Sequence, residues 1–167
     1  KLSAQRTGTT MPRLFISHSS QDNPVALAFR HWLVANGWAE SDVFIDLHDL
    51  RAGARWREEL RKANTACEAV LFLASPESLD SKECQEELKL ADILEKEIIP
   101  VVVRDLALND SRLLRYRNKE IQIVDLRTQP TERISVEYKG EAHALNFSTG
   151  ALASIKARLD DLGISPG

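Results

Sequence analysis

A continuous apolar run, Ala69 to Ala74, restricts the fold of this chain more than any other feature of its sequence. The run reads AVLFLA, so apolar side chains follow one another instead of alternating with polar ones. A strand of this kind is buried on both faces, which is typical of a parallel sheet covered by helices on both sides. The run therefore predicts a central strand of an α/β domain.

Segments before and after the run complete an alternation of strands and helices. Strands are predicted at 13–17, 43–45, 68–75, 97–105 and 120–127. Helices are predicted at 24–36, at 55–64, from residue 83 onward and, after an N-cap signal, at 148–164. The segment 131–147 is the least regular, and either a hairpin or an irregular excursion is expected there.

This alternation favours a parallel sheet built through right-handed crossovers. We expect a flavodoxin-like, doubly wound, five-stranded sheet in the order 2-1-3-4-5, flanked by helices. In that order the winding reverses between the first and third strands. A ligand crevice is therefore predicted beside the carboxyl ends of these two strands.

Composition limits the possible partners and the compartment. The chain has 167 residues, of which 43% are hydrophobic and 28% charged, as in an ordinary globular domain. A formal charge of -3 gives no electrostatic reason to expect nucleic acid or an anionic membrane as a partner. Cys67 and Cys84 form neither a disulfide framework nor a metal-binding motif, which favours the reducing cytoplasm. No apolar run approaches the roughly 20 residues of a membrane span.

One domain is expected at 11–163. Residues 1–10 are predicted to be a flexible leader or added residues, and 164–167 to be the start of a linker into a longer chain.

The predicted crevice carries hydroxyl and amide groups on one side and carboxylates on the other. Ser17, Ser19, Ser20 and Gln21 follow the first strand, whereas Glu83, Glu86 and Glu87 open the helix after the third. The helix dipole alone would favour acids at that helix start. Helical spacing, however, turns Glu86 about 100° away from Glu87, toward solvent. A crevice of this chemistry suits a polar sugar ligand.

Several classes of enzyme lack support. The chain has no G-x-G-x-x-G fingerprint and no phosphate-loop lysine, and its "SHSSQ" segment is not a nucleophile elbow. The histidines, at 18, 31, 48 and 143, do not pair at metal-ligand spacing, so no metal site is expected.

Three segments together resemble a Toll/interleukin receptor (TIR) domain. RLFISHSSQDNPVALAFRHWLVANGW resembles the opening strand, loop and helix of that family. VFID followed by AGARWREEL is similar to the second sequence box and the BB loop of bacterial members. AVLFLASPESLDSKECQEEL resembles the third strand and the W-C-x-x-E-L signature, matched here by Cys84, Glu87 and Leu88. The resemblance extends from about Arg13 to Asp105.

This resemblance implies one of two functions. Many bacterial and plant TIR domains hydrolyse NAD⁺ at the nicotinamide-ribose bond, releasing nicotinamide and ADP-ribose or a cyclic ADP-ribose, and immune signalling in bacteria is then the expected setting. Glu87 would be the catalytic carboxylate, NAD⁺ the substrate, and no cofactor would be needed. Other TIR domains are non-catalytic adaptors that act by TIR–TIR assembly.

The resemblance and the crevice position together define a set of candidate residues. The predicted substrate-binding residues are Ser17, Ser19, Ser20, Gln21, Asp46, Trp56 and Cys84. Self-association is expected to involve the BB loop, Asp46 to Trp56.

Alternatives stay open for four positions. Asp22 either lines the crevice or caps the first helix, and Asp46 either orients the BB loop or caps a local turn. Trp56 either flanks the crevice or belongs to the core. Cys84 is otherwise a small buried filler, and no redox role is expected for it.

One position departs from the family pattern, and one other family shares the topology. Glu83 stands where the signature has an aromatic residue, which would weaken ligand stacking or leave the site to be completed by a second subunit. Receiver domains have the same strand order, with Asp46 as the conceivable phosphoacceptor. They need a cluster of acids after the first strand, which "SHSSQD" does not supply.

Overall fold

Five parallel strands form the main sheet of this computed structural model, which describes residues 11–47, 53–115 and 123–167. The strands are β1 (Leu14–Ser17), β2 (Val43–Ile45), β3 (Ala69–Ala74), β4 (Glu97–Val102) and β5 (Val124–Asp125). Their order is β2-β1-β3-β4-β5, and every adjacent pair is parallel. The predicted flavodoxin-like, doubly wound sheet is confirmed.

Helices connect these strands and cover both faces of the sheet. They are α1 (Asn23–Ala35), α2 (Ala54–Ala66), α3 (Pro76–Asp80), α4 (Lys82–Ile93), α5 (Ser111–Leu114) and α6 (Thr149–Asp161). The short helix α3 lies between the third strand and α4, where the sequence predicted no helix, and Ser75 and Ser78 form a capping box around its first turn. Within the described ranges, no helix is both long and apolar enough to cross a bilayer.

The core explains why the central strand is apolar on successive residues. In β3, Leu71 and Leu73 pack with α1 and α6 on one face of the sheet. Val70 and Phe72 point to the other face and pack with residues of α4. All four side chains are fully buried, so neither face of this strand tolerates a polar residue.

A hairpin outside the main sheet occupies the segment that the sequence left open. Strands β6 (Thr131–Tyr138) and β7 (Glu141–Ser148) pair antiparallel along their full length. Lys139 and Gly140 form the two-residue turn, with φ angles of 50° and 79°. Positive φ at both positions is the geometry that such a turn requires, and glycine adopts it without strain. Ile134 and Phe147 bury the inner face of the hairpin in the core that α1 shares.

Parts of the predicted organisation lie outside the described residues. These are residues 1–10, expected as a leader, and 120–122 of the predicted fifth strand. Near the other end of the chain, Ile164 is buried and the Ser165 carbonyl accepts a hydrogen bond from Arg13. The bounds of the domain, 11–163, and the linker at 164–167 stay predictions.

A buried ion pair joins the carboxyl ends of three strands. Asp22, just after β1, is 1% exposed and accepts a hydrogen bond of 2.8 Å from the Ser75 hydroxyl, just after β3. Arg104, just after β4, donates to the same carboxylate from Nε at 2.7 Å and also pairs with Glu77 of α3. We call Asp22, Ser75, Glu77 and Arg104 the Asp22 cluster. The Asp22 side chain makes no capping hydrogen bond to α1 and is not among the residues that line the cleft beside β1 and β3, so it has neither role considered for it from the sequence.

Replacing Arg104 by Met should destabilise the domain strongly, because it leaves the buried Asp22 carboxylate without its counter-charge. Removing one partner of a buried ion pair costs roughly 3 kcal/mol or more. Urea unfolding monitored by circular dichroism would measure the loss.

Arg112→Met is the matched control, since Arg112 pairs with Asp80 and Asp110 near the surface and its replacement should cost much less stability. Asp22→Asn in the Arg104→Met background should restore part of the stability. Equal losses for the two single Arg variants would contradict a structural role for the Asp22 cluster.

Candidate functional site

A cleft of about 660 Å³ lies beside the carboxyl ends of β1 and β3, where the strand order predicted a crevice. Its described walls come from the loops after β1 and β2, from α2 and from the region of α3 and α4. The candidate residues that line it are Ser19, Ser20, Gln21, Asp46, Trp56 and Glu87. Most of the predicted site is therefore brought together in one place.

Glu87 lies on α4, which begins after Ser81, the residue whose hydroxyl accepts a hydrogen bond from the Cys84 amide. One carboxyl oxygen of Glu87, Oε1, accepts a hydrogen bond of 2.7 Å from the Ser17 hydroxyl at the end of β1. Ser17 is 1% exposed and does not line the cleft. Ser17 therefore supports Glu87 from the protein side, and the structure does not place it on the ligand side, where the sequence expected it.

The environment of Glu87 disfavours its charged form. Burial is the main cause that raises the pKa of Glu87 to about 8; the nearby charges of Asp46 and Glu83 act in the same direction, and the Ser17 hydrogen bond acts in the opposite direction. Glu83 lies one turn earlier and also lines the cleft. Glu86 is exposed and lies outside the cleft wall, as helical spacing predicted. Of the adjacent acids Glu86 and Glu87, only Glu87 thus has an environment unlike that of a surface carboxylate.

The loop after β1 presents short polar side chains to the cleft. Residues Ser20–Asp22 form one turn of 3-10 helix, and the Ser19 hydroxyl caps it by accepting a hydrogen bond from the Gln21 amide. This turn leaves Ser20 and Gln21 exposed at the cleft. One hydroxyl and one side-chain amide are thereby exposed to a polar ligand, and the Ser19 hydroxyl lies beside them.

Asp46 and Trp56, the two ends of the BB loop, contact each other. The Trp56 indole Nε1 donates a long hydrogen bond of 3.4 Å to the Asp46 carboxylate. The Trp56 ring also packs on Phe44, with 6.3 Å between the ring centroids. Asp46 therefore contacts the first turn of α2, and Trp56 both flanks the cleft and joins an aromatic cluster. Residues 48–52 of this loop lie outside the described ranges.

The family model of the TIR domain matches residues 14–137, which is most of the chain. This chain belongs to the TIR domain family. No match was found among curated proteins.

A similar solved structure is the TIR domain of the Toll-related receptor TRR-2 from the lower metazoan Hydra magnipapillata. The two share 17% sequence identity, the similarity covers 67% of this chain and 82% of that one, and the TM-score is 0.49. At these values the assignment to the family rests on the family model alone.

Cys84 of the TIR domain does not line the cleft, although its thiol lies close to Ser17 and Glu87. It is 1% exposed and packs in the core cluster on the α4 side of the sheet, together with Leu88. Burial raises the pKa of its thiol to about 12, so the thiol stays neutral at physiological pH. The inclusion of Cys84 among the substrate-binding residues is not supported, because its face of α4 is turned toward the sheet. Its alternative role as a small buried filler agrees with the structure.

His18 belongs to the cleft wall of the TIR domain, although the sequence drew attention to it only as a possible metal ligand. It follows Ser17 directly and lines the cleft while being only 9% exposed. Its Nε2 atom lies 2.7 Å from Oδ1 of Asn23. Burial lowers the pKa of His18, so the ring is neutral at physiological pH. Its position at the carboxyl end of β1 was the signal that could have identified it.

The charges around the cleft are mixed. Acidic residues on its walls include Asp46, Glu77, Asp80, Glu83 and Glu87, whereas Arg57 and Lys82 are positively charged. The described residues contain no group of three or more His, Cys, Asp and Glu side chains arranged to hold a metal ion. The cleft can therefore offer a carboxyl group, hydroxyl groups and two cationic side chains to one ligand.

The contribution of Glu87 to the stability of the TIR domain should fall as pH rises from about 4.5 toward about 8, because in this range Glu87 is ionised in the unfolded state and keeps its proton in the folded state. The folded state binds the Glu87 proton more tightly than the unfolded state, so ionising this group in the folded state costs free energy. Glu87→Gln removes that cost. The melting temperature of Glu87→Gln, relative to wild type, should therefore increase with pH. The corresponding gain in the free energy of unfolding is up to a few kcal/mol, at roughly 1.4 kcal/mol per pKa unit.

Glu86→Gln is the control for this pH series, because Glu86 is exposed. Its melting temperature relative to wild type should change little with pH. Parallel curves for Glu87→Gln and Glu86→Gln would show that Glu87 ionises like a surface acid.

Proposed function

We propose that this TIR domain hydrolyses NAD⁺ at the nicotinamide-ribose bond and releases nicotinamide and ADP-ribose or a cyclic ADP-ribose. The observation that carries the proposal is the Glu87 carboxyl group, which lines the cleft and is held by the Ser17 hydroxyl at 2.7 Å. Glu87 is also the residue that matches the acidic position of the W-C-x-x-E-L signature.

One carboxylate is chemically sufficient for this reaction. Ordinary glycoside hydrolysis uses a second carboxyl group to protonate the leaving group. Nicotinamide departs as a neutral molecule from a cationic ring, so no proton has to be delivered to it. Positive charge then develops at the anomeric carbon of the ribose, and a preorganised carboxylate such as Glu87 stabilises it. Water attacks that carbon and completes the hydrolysis, or a group of the substrate itself attacks to give the cyclic product.

The raised pKa of Glu87 is compatible with this role. A positive charge within a few ångströms favours the ionised form of a carboxyl group. The pyridinium ring of NAD⁺ supplies such a charge, so binding of NAD⁺ would lower the pKa of Glu87 from about 8. The carboxyl group is then ionised mainly when the substrate is present.

The remaining cleft residues suit the rest of NAD⁺. Ser19, Ser20 and Gln21 offer hydroxyl and amide groups to the ribose hydroxyls. Arg57 and Lys82 are the cations that would pair with the diphosphate. Trp56 supplies an aromatic surface at a site where Glu83 replaces the aromatic residue of the family signature. Ligand sites for small molecules commonly have volumes of roughly 300 to 1,000 Å³, and the cleft falls within that range.

Glu87→Gln should abolish nicotinamide release while fold and self-association are retained. The substitution keeps the size and the hydrogen-bonding capacity of the side chain but removes its negative charge. Loss of one preorganised electrostatic contact costs on the order of a hundredfold to a thousandfold in rate. Incubation of concentrated protein with NAD⁺, followed by chromatography of nicotinamide, measures the effect.

Glu86→Gln is the matched control for activity, since it removes the same charge from the adjacent, exposed position of α4. It should keep wild-type turnover. If both variants cleave NAD⁺ at the wild-type rate, or if both lose activity together with their melting transition, Glu87 is not the catalytic group.

Catalysis is proposed to depend on self-association through the BB loop, Asp46 to Trp56. TIR domains typically self-associate through TIR–TIR contacts. The BB loop borders the cleft at both of its described ends, because Asp46 and Trp56 both line it. A neighbouring subunit bound to this loop would therefore cover or complete the cleft.

Nicotinamide release per mole of protein should rise with protein concentration, because mass action favours the assembled, active form. The measurement is a dilution series with and without a crowding agent, combined with light scattering. Glu87→Gln should assemble like wild type in the same series. Specific activity that stays constant across the series would contradict assembly-dependent catalysis.

The alternative is a non-catalytic adaptor that acts by TIR–TIR assembly. One observation favours it: an exposed acid, Glu83, occupies the position where the family signature has an aromatic residue. An adaptor would assemble without consuming NAD⁺, and Glu87→Gln would leave its assembly unchanged. For the enzyme we further propose a cytoplasmic location, where NAD⁺ is available, and a role in bacterial immune signalling.

A further inference from the structure

A chain of side-chain hydrogen bonds runs from the β6–β7 hairpin to the cleft wall. Tyr138 is the last residue of β6, and its hydroxyl accepts a hydrogen bond of 2.8 Å from Nδ2 of Asn23. Oδ1 of the same Asn23 amide lies 2.7 Å from Nε2 of His18. Asn23 is fully buried, and His18 lines the cleft. A segment outside the parallel sheet thus contacts the candidate site through one buried amide.

This arrangement constrains the His18 ring. Nδ2 of Asn23 donates to Tyr138, so the atom that faces His18 is the carbonyl oxygen Oδ1, which accepts a hydrogen bond when the ring proton is on Nε2. The backbone of Ile16 is the second hydrogen-bond partner of the ring. The Tyr138 hydroxyl thus contacts the amide in the orientation in which the amide holds Nε2 of the ring.

Packing of the core does not by itself require this contact. Ile134 and Phe147 already attach the inner face of the hairpin to the core. Tyr138 lies at the far end of the hairpin, beside the turn at Lys139 and Gly140, and is only half-buried. A buried amide that bridges the end of the hairpin to a cleft residue has a clearer explanation in the geometry of the cleft.

We propose that Asn23 and Tyr138 are positioning residues, which hold the His18 ring as a fixed wall of the cleft and make the β6–β7 hairpin part of the ligand site. The hydrogen-bond chain stands on its own geometry. The identity of the ligand as NAD⁺ rests on the proposed function above. His18 lies on the wall next to Ser19 and Ser20, so its position is expected to affect substrate binding more than the chemistry at Glu87.

Tyr138→Phe tests the proposal, because it removes only the hydroxyl that orients Asn23. Ser135→Ala is the matched control, since it removes a hydroxyl from an exposed position of the same strand. In protein with ¹⁵N-labelled histidine, the His18 ring signals are assigned from the spectrum of His18→Gln. Exchange of the Nε2 proton with water should be faster in Tyr138→Phe than in wild type, on the order of tenfold. The exchange rate in Ser135→Ala should equal that of wild type.

Kinetics provide the second measurement. The KM for NAD⁺ should increase in Tyr138→Phe on the order of threefold to tenfold, as expected for loss of one hydrogen bond, with kcat nearly unchanged. A merely structural role of Tyr138 would lower the melting temperature without moving the exchange rate of the His18 proton or separating KM from kcat.

The outcomes distinguish this proposal from the proposed function. If the wild-type domain does not cleave NAD⁺, the proposed function fails, and the exchange measurement alone decides the role of Asn23 and Tyr138. If the His18 tautomer and proton exchange are the same in Tyr138→Phe and Ser135→Ala, the positioning role is overturned whatever the activity. Faster exchange in Tyr138→Phe alone, with both variants folded, supports it.

Discussion

The buried carboxylate of Asp22 is the constraint on which the geometry of the cleft depends. An unpaired charge at this depth would be very costly, so Arg104 and Ser75 must remain close to it. These three residues follow β1, β3 and β4, and their contacts hold the carboxyl ends of those strands together. Asp22 ends the loop that begins at His18, and Ser75 precedes α3, which leads into the helix that carries Glu87. A local electrostatic requirement thereby positions the two walls of the cleft.

Glu87 combines two opposing physical demands. Burial beside other acids favours its neutral form, whereas the catalytic role proposed for it, stabilisation of a cationic sugar, requires the ionised form. The Ser17 hydroxyl reduces the conflict by donating a hydrogen bond to one oxygen. A cationic substrate would reduce it further, because the substrate supplies the missing positive charge. The same burial that makes Glu87 costly to the folded state makes its charge effective toward a ligand, since there is little solvent to screen it.

The sequence predicted the fold well where one local pattern had one physical meaning. The AVLFLA run predicted a strand buried on both faces, the alternation of strands with helices predicted a parallel sheet, and the order expected for a sheet of this size is the one observed. Helical spacing separated exposed Glu86 from Glu87 correctly. The prediction failed where the direction of a side chain depended on distant elements. Asp22 was expected either to line the crevice or to cap the first helix, whereas its carboxylate pairs with Arg104. Cys84 faces the sheet although it is close to Glu87 in sequence.

The sequence by itself determined the α/β class, the order of the strands and the edge of the sheet where a site forms, because these depend on hydrophobic periodicity and on the handedness of crossovers. Only the tertiary structure decided which polar residues meet there. Ser17 contacts Glu87 across 70 positions of sequence, and Tyr138 contacts Asn23 across 115. No local pattern encodes such contacts, since they arise only when separate elements pack on one core and their buried polar atoms must find partners.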